Sequence, residues 1–355
     1  MTLLYILLAI LLLGVLIMVH EWGHYYAARL CGIAVKEFSI GFGPAIFSWK
    51  SKKNGTLFAI RPIPLGGYCM FYGDTDDDPT GTKAIDDPRN YNKVPVWKRM
   101  ISVFAGPLMN FIFAFVVAIG LMTFYGMTPT APFITDVEAN LPAQQAGLMP
   151  GDIFLEINDI ALPEGTVTEV INAIDSVEEG ASINFTVQRG EEVVETTVYP
   201  IYDSELKIYR IGITLQQGAE RLPASQIIPA AFDSCVQASV AIANALGDLF
   251  TTGAGFDQTA GPVGVIQLVA EQTQIGGFNI FLQLMVIISI NLGLINLLPI
   301  PALDGSRLIF MIIEAIRRKP ISQRIESIVH TVGYVFLLGL MLLFTYKDII
   351  RLLGF

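Results

Sequence analysis

Charge is scarce in this chain. Only 15% of its 355 residues are charged, against 53% that are hydrophobic. An ordinary soluble domain carries about 25% charged residues. Together with a mean hydropathy of +0.56, this excludes an ordinary soluble enzyme and points to several membrane spans. Cysteine is scarcer still. Cys31, Cys69 and Cys235 are far apart, odd in number and form no Cys-x-x-Cys pair. That excludes a disulfide framework and a cysteine zinc site, and leaves three buried or membrane-embedded thiols. No basic stripe is present and the net charge is −10, so nucleic acid is not an expected partner. The N-terminal apolar stretch lacks a positive n-region, and no small-residue cleavage site follows it. It reads as a retained first span.

What is present is organised by apolar runs. Leu3 to Val19 is continuously apolar, runs into His20-Glu21-Trp22-Gly23-His24 and ends near Leu30. That is long enough for one crossing of about 20 residues. Further spans are expected from about Met100 to Met127, near Phe281 to Leu298 and near Val332 to Phe344. The expected division is a first transmembrane helix at 1–30, a β-rich loop at 31–97, a second helix at 98–128, a soluble α+β domain at 129–222, an amphipathic segment at 223–278, and the third and fourth helices at 279–355.

Between the first two spans, Val35 to Met70 reads as strands. Lys52-Lys53-Asn54-Gly55 supplies the turn signal. Asp74 to Pro79 is an acidic, solvated loop without calcium-loop spacing. In the soluble domain, Ser182 to Gln188 and Val193 to Tyr199 alternate like strands joined at Arg189-Gly190. Phe133 to Val137, Ile153 to Ile157 and Tyr209 to Leu215 could be further strands. The stretch 225–252, with Pro229 near its start, either spans or lies on the membrane, and composition leaves both open.

Basic residues set the expected orientation. Lys50, Lys52, Lys53, Arg61, Lys93, Lys98 and Arg99 lie between spans one and two. Arg307, Arg317, Arg318, Lys319 and Arg324 lie between spans three and four. Both loops are therefore expected in the cytoplasm, with the acidic domain and both termini outside. Lys347 and Arg351 are a mild exception.

His20-Glu21-Trp22-Gly23-His24 matches H-E-x-x-H. Residues four apart share a helix face, so both imidazoles can reach one ion, and Glu21 beside them can take a proton from water. Charged groups in a span cost roughly 2.5–3.5 kcal/mol each on insertion scales, more than a structural role warrants. A catalytic zinc needs a third protein ligand. The candidates are His330, which suits an interfacial position, and Asp304, which follows Pro299 and Pro301 at the end of span three. Alone, Asp304 reads equally well as a capping aspartate after a proline-broken span; the histidine pair favours it as the ligand. Zinc with Glu21 and Asp304 is formally neutral, the form a membrane interior tolerates best. Two imidazoles favour zinc over magnesium. A non-enzymatic scaffold would leave this cluster without purpose. A zinc transporter would need ligands along a path, and the chain offers one cluster.

His20-Glu21-Trp22-Gly23-His24 with Asn296-Leu297-Leu298-Pro299-Ile300-Pro301-Ala302-Leu303-Asp304-Gly305 resembles the site-2 protease family of intramembrane zinc metalloproteases. Phe104-Ala105-Gly106-Pro107-Leu108-Met109-Asn110 looks like the family's second-span motif, and Ala260 to Val265 resembles the segment before its third span. Glu37 to Pro44 and Pro64 to Tyr68 look like its first loop. Ala146-Gly147-Leu148-Met149-Pro150-Gly151-Asp152 is similar to its PDZ turn. A single PDZ between spans two and three resembles the RseP/RasP-like bacterial branch.

The resemblance implies a polytopic α-helical membrane protein of about four transmembrane helices. A membrane-associated β-rich loop and one extracytoplasmic α+β PDZ-like domain complete the expected fold. It implies metal ligands His20, His24 and Asp304, Glu21 as the catalytic base, and Zn2+ as cofactor. Asn296, Gly66 and Gly67 would contact substrate. The location would be the bacterial cytoplasmic membrane, with the active site toward the cytoplasm. The substrates would be single-span membrane proteins, of anti-sigma-factor or signal-peptide-remnant type. An upstream site-1 protease would make the first cut. The PDZ would bind a peptide end or filter by size.

Overall fold

The computed structural model describes residues 3–73, 88–158, 160–162, 166–177, 180–203, 208–256 and 259–352. The acidic loop at Asp74 to Pro79 lies outside them. The chain divides into two compact units, Met1–Leu121 with Ile228–Phe355, and Met122–Ile227.

The first unit opens with α1, Leu3–Leu30. Its 28 residues, free of proline, rise about 42 Å, enough to cross a hydrocarbon core of about 30 Å. Ala9, Leu12 and Leu16 are buried, while Leu3, Leu4, Leu7 and Leu11 are exposed. Four strands follow: β1 Val35–Phe42, β2 Phe47–Lys50, β3 Leu57–Ile60 and β4 Ile63–Phe71. Their order is β2-β3-β1-β4. β2 and β3 form the hairpin expected at Asn54-Gly55, where Gly55 has a φ of +75°. β1 runs parallel to β3 and antiparallel to β4. Tyr25 of α1 accepts a 3.0 Å hydrogen bond from Asn54, which ties the sheet to the end of the first helix. On the sheet, Glu37 gathers Arg61 at 2.6 Å and Tyr68 at 2.8 Å.

α2 covers Val96–Tyr125 with Pro107 inside it. It meets α1 backbone to backbone. A Cβ on Gly23 would lie 2.2 Å from the carbonyl oxygen of Ala105, so a side chain there would force the helices apart. Small residues permit such close crossings where lipid gives no hydrophobic drive.

The second unit runs β5 Met127–Val137, α3 Pro142–Gln145, β6 Ile153–Ile157, β7 Ile160–Ala161, α4 Val167–Asp175, β8 Ile183–Arg189, β9 Glu192–Val198, β10 Ile201–Asp203, β11 Ile208–Arg210 and β12 Ile213–Arg221. Its main sheet has the order β12-β5-β6-β8-β9. The core is Ile134, Phe154, Val170, Ile183, Phe185, Val187, Val198 and Ile211 with their neighbours. Tyr209 to Leu215 is not one strand as the alternation suggests. It breaks at Ile211-Gly212 into β11 and β12, because Gly212 has a φ of +81° and leaves the extended region. The turn Ala146 to Asp152 is held by buried Asp152, which receives Arg189 through two hydrogen bonds of 2.7 Å and the Met149 N–H at 2.9 Å.

The chain returns to the first unit through α5, Ala224–Thr252. Then come α6 Pro262–Leu297, α7 Asp304–Arg317 and α8 Gln323–Leu352. α6 is two helical segments that meet at Gly277, whose φ of +67° is not helical. The second segment, which ends at Leu297, corresponds to the expected span near Phe281 to Leu298. α8 is longer than Val332 to Phe344, since polar ends extend the helix beyond its apolar centre. Buried Asp348 of α8 accepts the Gly261 N–H at 3.3 Å and the Gly264 N–H at 2.7 Å. These backbone donors at the start of α6 have no intrahelical partner, and a carboxylate also suits the positive end of the helix. Val269, Ala270 and Phe281 of α6 pack with Ala9, Leu12 and Leu16 of α1. Among the described residues, α1, α2, α5, α6 and α8 are long and apolar enough to cross a membrane. The chain is therefore a polytopic α-helical membrane protein with a β-rich segment and a separate α+β unit.

Candidate metal centre

Three of the chain's scarce polar residues meet at the end of α1. The helix period places His20 and His24 on one face. The two prolines interrupt the helix after α6, and the non-helical stretch 298–303 brings Asp304 opposite the histidines, as the first residue of α7. The His20 Nε2 lies 3.1 Å from Asp304 Oδ2, the His24 Nε2 lies 3.2 Å from the same oxygen, and the two Nε2 atoms lie 3.2 Å apart. Both imidazoles are buried. Asp304 does not cap its helix: the N-cap position is Leu303, without a side-chain cap.

The surroundings reveal what these atoms are. His24 Nδ1 lies 2.9 Å from the backbone carbonyl of Ser102. A carbonyl only accepts, so Nδ1 carries the hydrogen and Nε2 presents a lone pair. That lone pair faces a carboxylate oxygen that is buried and takes no hydrogen bond. Such an arrangement is repulsive unless a proton or a metal cation lies between the imidazole nitrogens and the carboxylate oxygen. A tetrahedral ion with bonds of about 2.05 Å holds its donors roughly 3.3 Å apart, which the observed triangle matches. Two imidazoles and one carboxylate suit zinc and leave a position for water or substrate. The residues present fit the metal.

Glu21 is buried beside the triangle. Its carboxylate accepts a hydrogen bond from the backbone N–H of Cys69 in β4. Gly67 of the same strand packs on it, since a Cβ there would lie 3.1 Å from Glu21 Cγ and 2.9 Å from the Ser39 carbonyl oxygen. Gly66 lies against the ring of Phe42. Both glycines sit inside β4 rather than in a turn. Asn296 is half-buried in the last turn of α6.

Several residues hold the centre that the motif alone does not mark. A Cβ on Gly106 would lie 2.3 Å from the His24 ring, so glycine is what lets α2 touch the imidazole. A Cβ on Gly305 would lie 2.3 Å from the carbonyls of Leu297 and Leu298, so the Asp304 turn rests directly on the end of α6. His330 is buried. It lies on α8 and accepts the Ala302 N–H at 3.1 Å through Nδ1. Ala302 has a φ of +80°, and His330 thus holds the loop two residues before Asp304. Asn110 is fully buried in α2 and its side-chain amide lies 3.1 Å from His20 Nδ1. Its signals in the sequence are a polar residue deep in an apolar run and its place at the end of the second-span motif Phe104 to Asn110.

Fold and site together define a membrane protein with a buried His-His-Asp cluster that could hold a metal ion and an adjacent glutamate. Residues 8–340 match the family model described as Peptidase family M50, and the chain belongs to that family, the site-2 proteases. Relatives bearing the name “Putative zinc metalloprotease” include one from Synechocystis, 37% identical over 99% of this chain and 96% of its own length. Another from Nostoc is 36% identical over 98% and 96%. One from Agrobacterium fabrum is 33% identical over 99% and 97%. Among solved structures, the PDZ domain of the SdrC-like protein of Listeria monocytogenes is similar at 25% identity, covering 25% of this chain and 90% of that one, with a TM-score of 0.22.

Proposed function

We propose that the protein is a zinc endopeptidase that hydrolyses peptide bonds within or near the transmembrane segments of single-span membrane proteins. The observation that carries this reading is the triangle of His20, His24 and Asp304 with Glu21 buried beside it. His20, His24 and Asp304 would hold the metal and Glu21 would serve as base. Zinc, when bound, polarises a carbonyl and makes water a better nucleophile at neutral pH. Glu21 takes a proton from the attacking water as its oxygen adds to the scissile carbonyl carbon. It then gives that proton to the amide nitrogen as the C–N bond breaks. The hydrogen bond from Cys69 N–H orients the carboxylate and leaves its second oxygen for water.

Substrate must unwind before its carbonyl is accessible. β4 is the edge of its sheet, and the Cys69 N–H on that edge reaches Glu21. A substrate strand paired along Ile63 to Tyr68 would be led toward the base. Gly66, Gly67 and Asn296 are the proposed substrate contacts.

The location we infer is the bacterial cytoplasmic membrane, with the centre toward the cytoplasmic side and the PDZ-like unit outside. Topology then constrains α5. The end of α1, the start of α2 and the end of α6 meet at one level. A complete crossing by α5 would put the end of α6 on the wrong side. Despite its length, α5 therefore lies along the membrane. The reaction fits the second cut on a substrate that an upstream site-1 protease has already shortened, with anti-sigma factors or signal-peptide remnants as the substrate types.

The test is cleavage of a tagged single-span substrate in proteoliposomes, with chelator, with zinc restored, and with Glu21→Gln. Cleavage that needs zinc and disappears in the variant supports the reading. Cleavage at the wild-type rate in either the chelated protein or the variant sinks it. Metal flux into the vesicles without cleavage would indicate a transporter instead.

A further inference from the structure

We propose that Asn110 fixes the tautomer of His20 and is thereby a positioning residue for the metal centre, an inference that rests on the zinc reading above. The two histidines are held differently. The tautomer of His24 is dictated by a backbone carbonyl, which can only accept. Among the described residues, the partner of the His20 Nδ1 is the side-chain amide of Asn110, at 3.1 Å, and an amide can present either a donor or an acceptor.

The choice decides whether His20 is a ligand. With the amide nitrogen toward Nδ1, that ring nitrogen must accept, and the hydrogen sits on Nε2, pointing at Asp304 Oδ2 3.1 Å away. The lone pair needed for a metal is then absent. With the amide oxygen toward Nδ1, the hydrogen moves to Nδ1 and Nε2 becomes a donor to metal. The oxygen is available for this. Asn110 Oδ1 is buried and takes no hydrogen bond in the orientation with Nδ2 toward the ring, and the two orientations differ only by a half-turn of the amide. Ligating histidines commonly give their second N–H to an oxygen acceptor, and loss of that acceptor costs 10–100-fold in metal affinity.

Asn110 is otherwise an expensive residue. It is fully buried in a span, where an amide without a partner is destabilising. Its position is fixed from the other side as well. Ser289 Oγ of α6 donates to the Asn110 carbonyl oxygen at 2.8 Å, so α6 holds this turn of α2 against His20.

The experiment compares zinc affinity by competition with a chromophoric chelator in purified wild type, Asn110→Asp and Asn110→Leu. Asp keeps an acceptor and removes the donor; Leu removes both at similar volume. The expected result is a 10–100-fold loss for Leu and a change within about 3-fold for Asp. A purely structural amide would cost both variants alike. The proposal is overturned if Leu binds zinc as tightly as wild type, or if Asp falls by 10-fold or more. Should the Leu protein not assemble, the Asp result alone decides. A wild type that binds no zinc overturns the metal reading itself, and this is distinguishable from a failure at Asn110.

Discussion

His24 of α1 donates its Nδ1 hydrogen to the backbone carbonyl of Ser102 in α2, at 2.9 Å and across 78 residues of sequence. The bond survives only because α2 comes this close, and Gly106, one turn further on, is the residue that permits it. An added methyl would lie 2.3 Å from the ring, inside any tolerable contact. Gly106→Ala should push His24 from the triangle and lower zinc affinity by at least 10-fold, an effect of the size seen when a ligand's support is removed. Chelator competition measures it. Gly14→Ala is the control, because nothing lies within 4 Å of that Cβ. It should leave zinc binding unchanged and add about 0.5–1 kcal/mol of helix stability.

The loop before Asp304 yields a second expectation. Ala302 adopts a left-handed conformation that costs roughly 1–2 kcal/mol for a residue with a Cβ, and His330 accepts its N–H. His330→Ala should lower thermal stability by about 1–2 kcal/mol, the cost of a buried donor left unpaired, with one zinc still bound per chain. Asp304→Asn should instead reduce zinc affinity by roughly 100-fold, about 2.7 kcal/mol. Metal analysis beside calorimetry separates the two roles. Loss of bound zinc in the His330 variant and not in the Asp304 variant would reverse the ligand assignment.

These two cases show what the sequence could and could not reveal. H-E-x-x-H is legible because the helix period alone places His20, Glu21 and His24 on adjoining faces. Asp304 is legible because two prolines and an acid at the end of a span are costly without a purpose. The β2–β3 hairpin is legible at Asn54-Gly55, where the turn demands a positive φ. The contacts that Gly106, Ser102 and His330 make are not. Their effects depend on which helices touch and at what depth, and a glycine or a backbone carbonyl carries no periodic signal. The segment of α6 before Gly277 is not legible for a related reason. Hydropathy marks the apolar centre of a helix, whereas capping, as by Asp348 at Gly261 and Gly264, decides where it starts.

The second unit has its own acid sensitivity. Burial pushes the Asp152 carboxyl up, but hydrogen bonds from Arg189 and the Met149 N–H, with the Arg189 charge, outweigh it and leave its pKa below the ordinary value. The folded pKa is depressed, so this contribution is complete above the unfolded pKa of about 3.9 and is lost as pH falls below it toward the folded value. Amide protection factors in the second unit, each taken against the intrinsic exchange rate at the same pH, should fall below about pH 4 in the full chain. Arg189→Met leaves a buried carboxylate without its partner and should destabilise the unit by on the order of 3 kcal/mol at neutral pH. Without that partner, burial pushes the variant's carboxyl up, so the gap to the unfolded pKa closes and its acid-induced loss should shrink or reverse. An unchanged acid profile in Arg189→Met would exclude the pair as its cause.

Gly67 separates metal binding from chemistry. It belongs to β4, pairs with Ile40 of β1 and packs on the Glu21 side chain. A methyl at this position would lie 2.9 Å from the Ser39 carbonyl oxygen and 3.1 Å from both Glu21 Cγ and Ile17 Cγ2. The backbone oxygen belongs to a paired strand and cannot yield, so Glu21 or β4 must move. None of the proposed ligands is touched. Gly67→Ala should therefore keep zinc affinity near wild type while slowing cleavage by about 10–100-fold, part of the 10²–10⁴-fold that a positioned base supplies. The loss should appear in kcat, since the proton transfer is what suffers. A variant that loses zinc would show that β4 supports the ligands rather than the base. One that cleaves at full rate would show that Glu21 tolerates displacement and needs no strand against it.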